Sequence, residues 1–436
     1  MSFSWVLALF TVSLGMWIGL LASVQVLLPS QIEAIAPGRK VWTLGAVTAA
    51  GAVAAVLAAP LVGALSDRTG WRFGKRRSWV IGGTVCCALA LLALPWQSTA
   101  VGVGICWTIV HGGVGGISAA LCAVVADRVS VDRRGTVFAI LGFAQPLGLV
   151  FGTLLVSGIS FRAGYPLIAV LVGMLALPYA FIGRDVPVHR PAGPVPAPAQ
   201  SPDQPEQLDQ PEQLDQPDQL GRSSRPDAAA VPARKPARMR RPRPLAAARA
   251  LGPDFVWACC GRFMAQFATS LATVYLLYFL RDEIRHADPA QGVAVLSLMF
   301  TAGIIVVGLV VGRASDRTGR RKIFVIIAAL LMAGGLAGMA LVPSWSVAVV
   351  AAAALGAGYG AYLAVDQALV TQVLRSERER GKDLGVMNMA GSAAAAVAPL
   401  VAAGSVDLGG YTLLFLLAGV VAVLGGLLIQ PIKTVS

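Results

Sequence analysis

Long apolar stretches, separated by short polar and charged segments, run along the whole chain except for one central region. Twelve of them reach the roughly 20 residues that a helix needs to cross about 30 Å of hydrocarbon at about 1.5 Å per residue. They are rich in Ala, Leu, Val and Gly without strict alternation, which predicts membrane-spanning helices rather than barrel strands. The predicted spans are residues 5–28, 41–62, 78–97, 99–124, 135–157, 164–183, 254–280, 291–311, 323–342, 346–370, 384–406 and 411–430.

The composition excludes a soluble globular protein. Of the 436 residues, 56% are hydrophobic and only 13% are charged, and the mean hydropathy is +0.71. The net charge of +13 would suggest nucleic-acid binding in a soluble protein. No nucleic-acid module is recognisable, and in a membrane protein the same excess is typical of cytoplasmic loops.

The distribution of Lys and Arg sets the orientation. With the amino terminus in the cytoplasm, the outer connections carry five cations and the inner ones eighteen, even when the long central segment is left out. The positive-inside rule therefore predicts that both termini and the central segment are cytoplasmic. No basic residue precedes the first apolar stretch and eleven more follow it, so we expect a retained helix rather than a signal peptide.

Residues 184–250 break the apolar pattern. This segment is rich in Pro, Gln, Asp and Arg and contains three hexapeptide repeats, at 203–208, 209–214 and 215–220. Such a composition buries too little apolar surface to offset chain entropy, which predicts a disordered cytoplasmic linker between a half at 1–183 and a half at 251–436. The basic run at 234–249 is either a topogenic, lipid-facing segment or a site for a specific partner.

Catalytic and metal-binding patterns are not found in the sequence. The six cysteines lie within predicted spans without metal-site spacing, so we expect packing residues, with no metal and no cofactor. No HExxH-type motif, paired catalytic acids in a span or nucleotide-binding loop is present, which argues against an enzyme.

The two halves repeat each other. Residues 63–70 follow the second span, residues 312–319 follow the second span of the other half, and the two octapeptides share six identities. Both copies lead into clusters of cations. This predicts an internal repeat of six and six spans, of the kind that secondary transporters use.

The repeated octapeptide resembles the hallmark loop of the major facilitator superfamily, Gly-x-Leu-x-Asp-Arg-x-Gly-Arg-Arg/Lys. The second copy, in which Ala314 replaces the leucine, matches at Gly312, Asp316, Arg317, Gly319, Arg320 and Arg321. The first copy matches at Gly63, Leu65, Asp67, Arg68 and Gly70, and residues 71–74 are inserted before Lys75, Arg76 and Arg77. That longer form resembles the sugar:cation symporters and sucrose-transporter-like members, as do residues 365–374 and 381–385.

The resemblance implies an all-α membrane protein of twelve helices in two pseudo-symmetric halves, with helices 1, 4, 7 and 10 lining a central cavity. The basic loops would be cytoplasmic gates, in which glycine allows a tight turn and close helix approach and Asp67 sits against a helix N-terminus. The arginines of these loops would bridge to acids across the moving interface. The alternative is that these loops only set the topology.

Three ionisable residues lie well inside predicted spans, where a charge is costly and therefore a functional candidate. Arg262 and Asp366 lie at similar depths from the cytoplasmic ends of spans seven and ten. We therefore hypothesise an ion pair in which Asp366 binds a proton or meets the substrate. A static structural pair, or an Arg262 that snorkels to the interface, is the alternative.

His111 is the third ionisable residue. It replaces the arginine of the Leu-x-x-x-Arg-x-x-Gln-Gly pattern of drug-exporting members, and Gly115 matches the final glycine. Imidazole titrates near neutral pH, so a proton relay or a substrate hydrogen bond competes with a structural role in packing.

Weaker candidates are polar or aromatic. Gln25, Gln145 and Gln266 could bind a polyol or an amide, or could join helices. Glu33 at the outer surface and Asp127 at the inner end of span four are either gate residues or solvated. Two tryptophans and four tyrosines are candidates for stacking on a ligand, although packing and membrane-interface belts are their usual roles: Trp17, Trp107, Tyr275, Tyr278, Tyr359 and Tyr362.

Span five bears on the direction of transport. Proton:drug antiporters of the superfamily typically show Gly-x-x-x-Gly-Pro-x-x-Gly-Gly, and here Gln145 occupies the glycine before Pro146. This partial match favours symport. We therefore predict a monomeric secondary transporter in the plasma membrane that moves a small, sugar-like organic solute with protons, or with sodium. A proton-coupled exporter of a drug or metabolite, and a non-transporting receptor on the same fold, are the alternatives.

Overall fold

The computed structural model describes residues 3–68, 76–182, 253–318, 321–373 and 380–431. Within these ranges every regular element is helical, which confirms the all-α prediction. The predicted linker at 184–250 lies outside the described residues, so its boundaries remain a prediction.

The helices of the amino-terminal half follow the predicted spans with two breaks. Helix α1 (Phe3–Ala22) continues through a π-helical segment, Ser23–Leu27, into α2 (Leu28–Ile35), and predicted span five is divided at Phe143. Single π-helical turns inside helices are rare and occur often at functional sites. The remaining helices are α3 (Lys40–Arg68), α4 (Arg77–Ala93), α5 (Ala100–Arg128), α6 (Val131–Gly142), α7 (Ala144–Val156) and α8 (Phe161–Ile182).

The first span of the carboxyl-terminal half is bent. Helix α9 (Pro253–Val274) meets α10 (Leu276–Asp282) at an angle of 40°, because Tyr275 leaves the helical region with φ −107° and ψ 17°. The half is completed by α11 (Pro289–Thr318), α12 (Arg321–Leu341), α13 (Trp345–Val373) and α14 (Arg380–Leu427).

The described helices are consistent with twelve crossings. Ten of them are long and apolar enough to cross a membrane, or eleven when the bent pair α9 and α10 is one span. Helix α14 has 48 residues, which is about 72 Å at 1.5 Å per residue and more than twice the hydrocarbon thickness. Gly409 and Gly410 are non-helical inside it, and the last two predicted spans lie on either side of this break.

The first glycine of each loop motif, Gly63 or Gly312, does not form a turn. Gly63 lies within α3 and Gly312 within α11, because both helices continue through the first part of the loop motif. Each helix ends on a turn that contains an arginine, where a cation is favoured by the helix dipole. A Cβ at Gly312 would make an ordinary van der Waals contact with the Ala364 Cβ at 3.6 Å, and a Cβ at Gly63 would have no neighbour within 4 Å. Neither glycine is therefore required by a close approach of helices.

The most extensive packing between the halves, within the described residues, is that of α3 against α14 and of α7 against α11; the π-helical segment Ser23–Leu27 also contacts α9, α10 and α11. Gly45 on α3 permits the first contact, because a Cβ there would lie 2.9 Å from the Pro399 carbonyl oxygen. Small residues at helix contacts are typical of membrane proteins, where packing replaces the hydrophobic effect between helices. Helices α1 and α5 in one half, and α9 and α13 in the other, occupy equivalent places between the connecting helices.

Candidate functional site

A polar cluster lies within the membrane-spanning part of the carboxyl-terminal half, between α9 and α13. Arg262 Nη1 is 3.5 Å from Asp366 Oδ2. Tyr362 donates its hydroxyl to Asp366 Oδ1 at 3.2 Å, and Tyr359 donates to Gln266 Oε1 at 2.8 Å. The structure therefore brings three of the predicted site residues together with two of the four tyrosines.

The helical spacing explains the cluster. Arg262 and Gln266 are four residues apart on α9, so they occupy the same face, and Ser270 continues that face one turn further. Gln266 Nε2 is 3.5 Å from Ser270 Oγ. On α13, the two tyrosines precede Asp366 by seven and four residues, which places all three on one stripe.

The ion pair is buried but loose. The side chain of Asp366 is 4% exposed and that of Arg262 is 18% exposed, so both charges have lost most of their hydration. Asp366 Oδ2 has no hydrogen-bond partner and is held by the guanidinium at 3.5 Å alone. A buried carboxylate with an unfilled acceptor has room for a proton, and its protonation would leave the Arg262 donors available to another acceptor.

His111 lies in the other half, where α5 packs on α3. Its ring centroid is 4.9 Å from that of the fully buried Trp107. A Cβ at Gly51 of α3 would lie 3.1 Å from His111 Cγ. These contacts all lie within the amino-terminal half, and they place the imidazole in a helix-packing interface.

The other two predicted glutamines are separated from the cluster along the chain and differ in exposure. Gln25 is buried in the π-helical segment. Gln145 is exposed at the start of α7. The next residue, Pro146, accepts a hydrogen bond from Thr301 of α11 at 3.4 Å, which is one of the contacts between the halves.

The loops that are predicted to be cytoplasmic are described in part. Arg76 binds Asp127 at 3.0 Å and also donates to Ser66, so the acid at the end of α5 is paired with the start of α4. Asp67, Arg68 and Asp316 are described as helical backbone only. Arg77 is half-buried, and Arg317 is exposed. Gly70, Gly319 and Arg320 lie outside the described residues, whereas Arg321 begins α12.

A charge network that was not predicted from the sequence joins the predicted outer ends of the two halves. Lys40 Nζ is 3.0 Å from Glu33 Oε1 and 2.8 Å from Asp282 Oδ1. Arg281 pairs with Glu33, and Tyr411 donates to Asp282 at 2.9 Å. We call these five residues the outer bridge. Opposite charges at the outer ends of spans in both halves were the available signal.

Two tyrosines at the bend between α9 and α10 reinforce the outer bridge. Tyr275 donates to the Val41 carbonyl at 2.8 Å, and Tyr278 donates to the Pro29 carbonyl at 2.9 Å. Lys40 Nζ also lies 4.9 Å from the centre of the Tyr278 ring. Both halves are therefore fastened together at this end of the described structure.

Among the residues that the structure describes, no group of three His, Cys, Asp or Glu side chains could hold a metal ion. The site consists of a buried ion pair with hydroxyl and amide groups around it. These groups include both donors and acceptors of hydrogen bonds, and the carboxylate can accept a proton.

Comparisons with solved structures show the fold. The human organic anion transporter MFSD10 (TETRAN) is 18% identical with a TM-score of 0.63, over 99% of this chain and 100% of that one. A mutant form of the nucleoside transporter NupG is 13% identical with a TM-score of 0.69, over 98% and 99%. A POT family transporter in complex with a thioalcohol-conjugated peptide is 11% identical with a TM-score of 0.69, over 98% and 95%.

Sequence comparisons show the family. No curated protein sequence matches the chain at a significant level. The family model described as Major Facilitator Superfamily matches residues 5–282 and 258–434, which covers both membrane halves. This confirms the resemblance at the level of the superfamily, while the sugar:cation symporter branch remains a prediction. The chain is a transporter rather than an enzyme, and it belongs to the major facilitator superfamily.

Proposed function

We propose that this protein is a proton-coupled secondary transporter, and that Asp366 is the coupling acid. The observation that carries the proposal is the Asp366 carboxylate, which is buried in a membrane span with one oxygen free of hydrogen bonds. Protonation would neutralise the carboxylate and release Arg262, and deprotonation would restore the pair. Such a two-state element links proton binding to a change in the site.

The groups around the ion pair favour a small polar organic solute. Gln266, Tyr359 and Tyr362 supply one amide and two hydroxyl groups within the same cluster. Amides, phenols and a charged pair can donate to and accept from the hydroxyl groups of a sugar-like solute. We therefore favour symport of such a solute, in agreement with the partial antiporter motif around Gln145.

The outer bridge supports alternating access. It fastens the two halves together at the predicted outer face, and a solute could enter from outside only after these contacts separate. We propose that they break and re-form in each cycle, while the loops around Asp67 and Asp316 make the corresponding contacts at the inner face. The chain would work as a monomer in the plasma membrane, with residues 184–250 as a cytoplasmic linker.

Flux measurements in proteoliposomes test the proposal. The full chain is reconstituted, a pH gradient of either sign is imposed, and a panel of sugars, nucleosides, peptides, organic anions and drugs is screened. Uptake that is driven by an inward proton gradient supports symport. Uptake that is driven by an outward proton gradient, in exchange for protons, indicates the proton-coupled exporter. A sodium gradient that replaces the proton gradient would show sodium coupling, and the absence of flux across the panel would favour the receptor.

The variant Asp366→Asn tests the coupling acid. We expect loss of pH-driven accumulation while solute exchange at equal concentrations persists, because the amide keeps the shape of the site and cannot titrate. Asp407→Asn, at an exposed position of α14, is the matched control and should accumulate solute normally. Accumulation that survives in Asp366→Asn would exclude Asp366 as the coupling acid.

A further inference from the structure

A groove runs along the surface of the amino-terminal half between α4 and α5. Its volume is about 560 Å³, and Val62 of α3 forms part of its wall. Five glycines line it: Gly82 and Gly83 on α4, and Gly112, Gly113 and Gly116 on α5. Its end toward the cytoplasm is formed by Ser78 and Trp79, in the first turns of α4.

The glycines have two different roles. A Cβ at Gly83 would lie 2.8 Å from Ile117 Cγ1, and one at Gly116 would lie 3.1 Å from Val62 Cγ2, so these two positions allow the helices to approach. A Cβ at Gly82 or Gly112 would have no neighbour within 4 Å. The absence of side chains at Gly82 and Gly112 is therefore not required by packing, and it is what leaves the groove open.

The groove opens on the face of the molecule that meets the hydrocarbon. Large apolar side chains of α4 and α5 extend the two walls of the groove toward the outer face. These side chains are strongly exposed: Leu89 is 61% exposed and Ile105 is 58% exposed. In a membrane-spanning protein such side chains face acyl chains. An elongated apolar depression in this surface fits a lipid tail better than it fits water or a polar solute.

The charges at the cytoplasmic end favour an anionic lipid. At the inner ends of α4 and α5, the described residues include three arginines, Arg76, Arg77 and Arg128, and one acid, Asp127. Asp127 pairs with Arg76, so the cluster as a whole keeps an excess of positive charge. Trp79 lies within one turn of this cluster, and tryptophan is enriched at the level of lipid headgroups. Basic groups at this depth attract anionic lipids of the inner leaflet.

We propose that the groove holds one acyl chain of an anionic phospholipid from the inner leaflet, with the phosphate beside the arginines at the start of α4. The lipid would fill the space that Gly82 and Gly112 leave and would support the packing of α4 on α5. This site is separate from the ion pair of the carboxyl-terminal half and does not depend on the solute or on the coupling ion.

The test measures quenching of tryptophan fluorescence by brominated lipid in the full-length protein. The protein is placed in phosphatidylcholine nanodiscs with a minor fraction of phosphatidylglycerol, and bromine is carried by the acyl chains of one lipid at a time. The Trp79 signal is the difference between the wild type and Trp79→Phe. We expect brominated phosphatidylglycerol to quench it at an about fivefold lower mole fraction than brominated phosphatidylcholine. Equal quenching by the two lipids would overturn the proposal.

A groove-filling variant locates the binding site. Gly112→Leu places a side chain in the open space and should reduce quenching by phosphatidylglycerol to the phosphatidylcholine level. Gly334→Leu on α12, where a Cβ also has no neighbour within 4 Å, is the matched control and should behave as the wild type. If Gly112→Leu does not fold, Gly82→Leu fills the groove from the opposite wall. Wild-type quenching in a folded groove-filling variant would refute this site.

Discussion

The two halves share one fold but place different polar side chains within the membrane. In the carboxyl-terminal half, α9 and α13 hold a buried ion pair surrounded by hydroxyl and amide groups. In the amino-terminal half, the equivalent helix α5 places the ring of His111 against Trp107 and the backbone of α3. The two halves therefore share the packing of their helices, while their chemistry inside the membrane differs.

This difference suggests that the polar cluster acts in coupling, whereas His111 acts in helix packing. A buried acid with a loosely held partner can change its charge, whereas an imidazole packed between two helices has little room to move. We expect substitutions in the polar cluster to change coupling and those around His111 to change stability. The following variants test this contrast in order of decreasing expected effect.

The largest effect is expected for Arg262→Gln. This change leaves the Asp366 charge buried without its partner, which should lower the free energy of unfolding by about 3 kcal/mol and abolish pH-driven transport. The double variant Arg262→Gln/Asp366→Asn removes both charges and should recover most of the stability but not the coupling. Thermal unfolding in detergent, combined with flux in liposomes, measures both. An unfolding temperature equal to that of the wild type in the single variant would contradict the buried pair.

An intermediate effect is expected for Lys40→Met in the outer bridge. The variant loses one ion pair between the halves, Lys40–Asp282, and one within the amino-terminal half, Lys40–Glu33. This loss should increase the outward-open population about fivefold, since partly exposed pairs contribute up to about 1 kcal/mol. Spin labels at Gly38 and Asp407, in a background without native cysteines, report the separation of the outer ends. The neighbouring exposed cation gives a control, Arg39→Met, which should leave the distance distribution unchanged. A distribution unaffected by Lys40→Met would show that the bridge does not hold the halves together.

The smallest effect is expected for His111→Gln. We expect a loss of about 1 kcal/mol in stability, from imperfect packing against Trp107, and a pH profile of transport with an unchanged midpoint. The measurement is uptake across a series of pH values on protein matched for folded fraction. A shifted midpoint would instead assign His111 to the proton pathway and weaken the contrast between the halves.

Much of the fold was accessible from the sequence because lipid imposes a simple rule. A span must be about 20 apolar residues long, and its backbone N–H and C=O groups must form hydrogen bonds within the span. The positions of the spans therefore follow from hydropathy, and their predicted orientation follows from charge. The pairing of Arg262 with Asp366 was also predictable, because a charge at depth requires a partner at a similar depth. The repeat supplied the division into halves.

Other features depend on tertiary geometry that the sequence does not encode locally. The bend at Tyr275 has no proline or glycine beside it. Helices α3 and α11 continue through the first glycine of each loop motif, although glycine there would also allow a turn. The outer bridge joins residues as distant in sequence as Lys40 and Asp282, and no periodic pattern marks such a pair.

The tyrosines at the bend fasten the halves through main-chain oxygen atoms. The Tyr275 hydroxyl donates to the carbonyl of Val41, and the Tyr278 hydroxyl donates to the carbonyl of Pro29, both in the amino-terminal half. Tyr275 also contacts the carbonyl of Pro399 in its own half. Every residue type offers the same oxygen, so substitution at position 29 or 41 leaves these acceptors in place as long as the backbone keeps its course. These hydrogen bonds between the halves can therefore persist while the sequence of the amino-terminal half changes. Covariation of residues between the two halves would not reveal them.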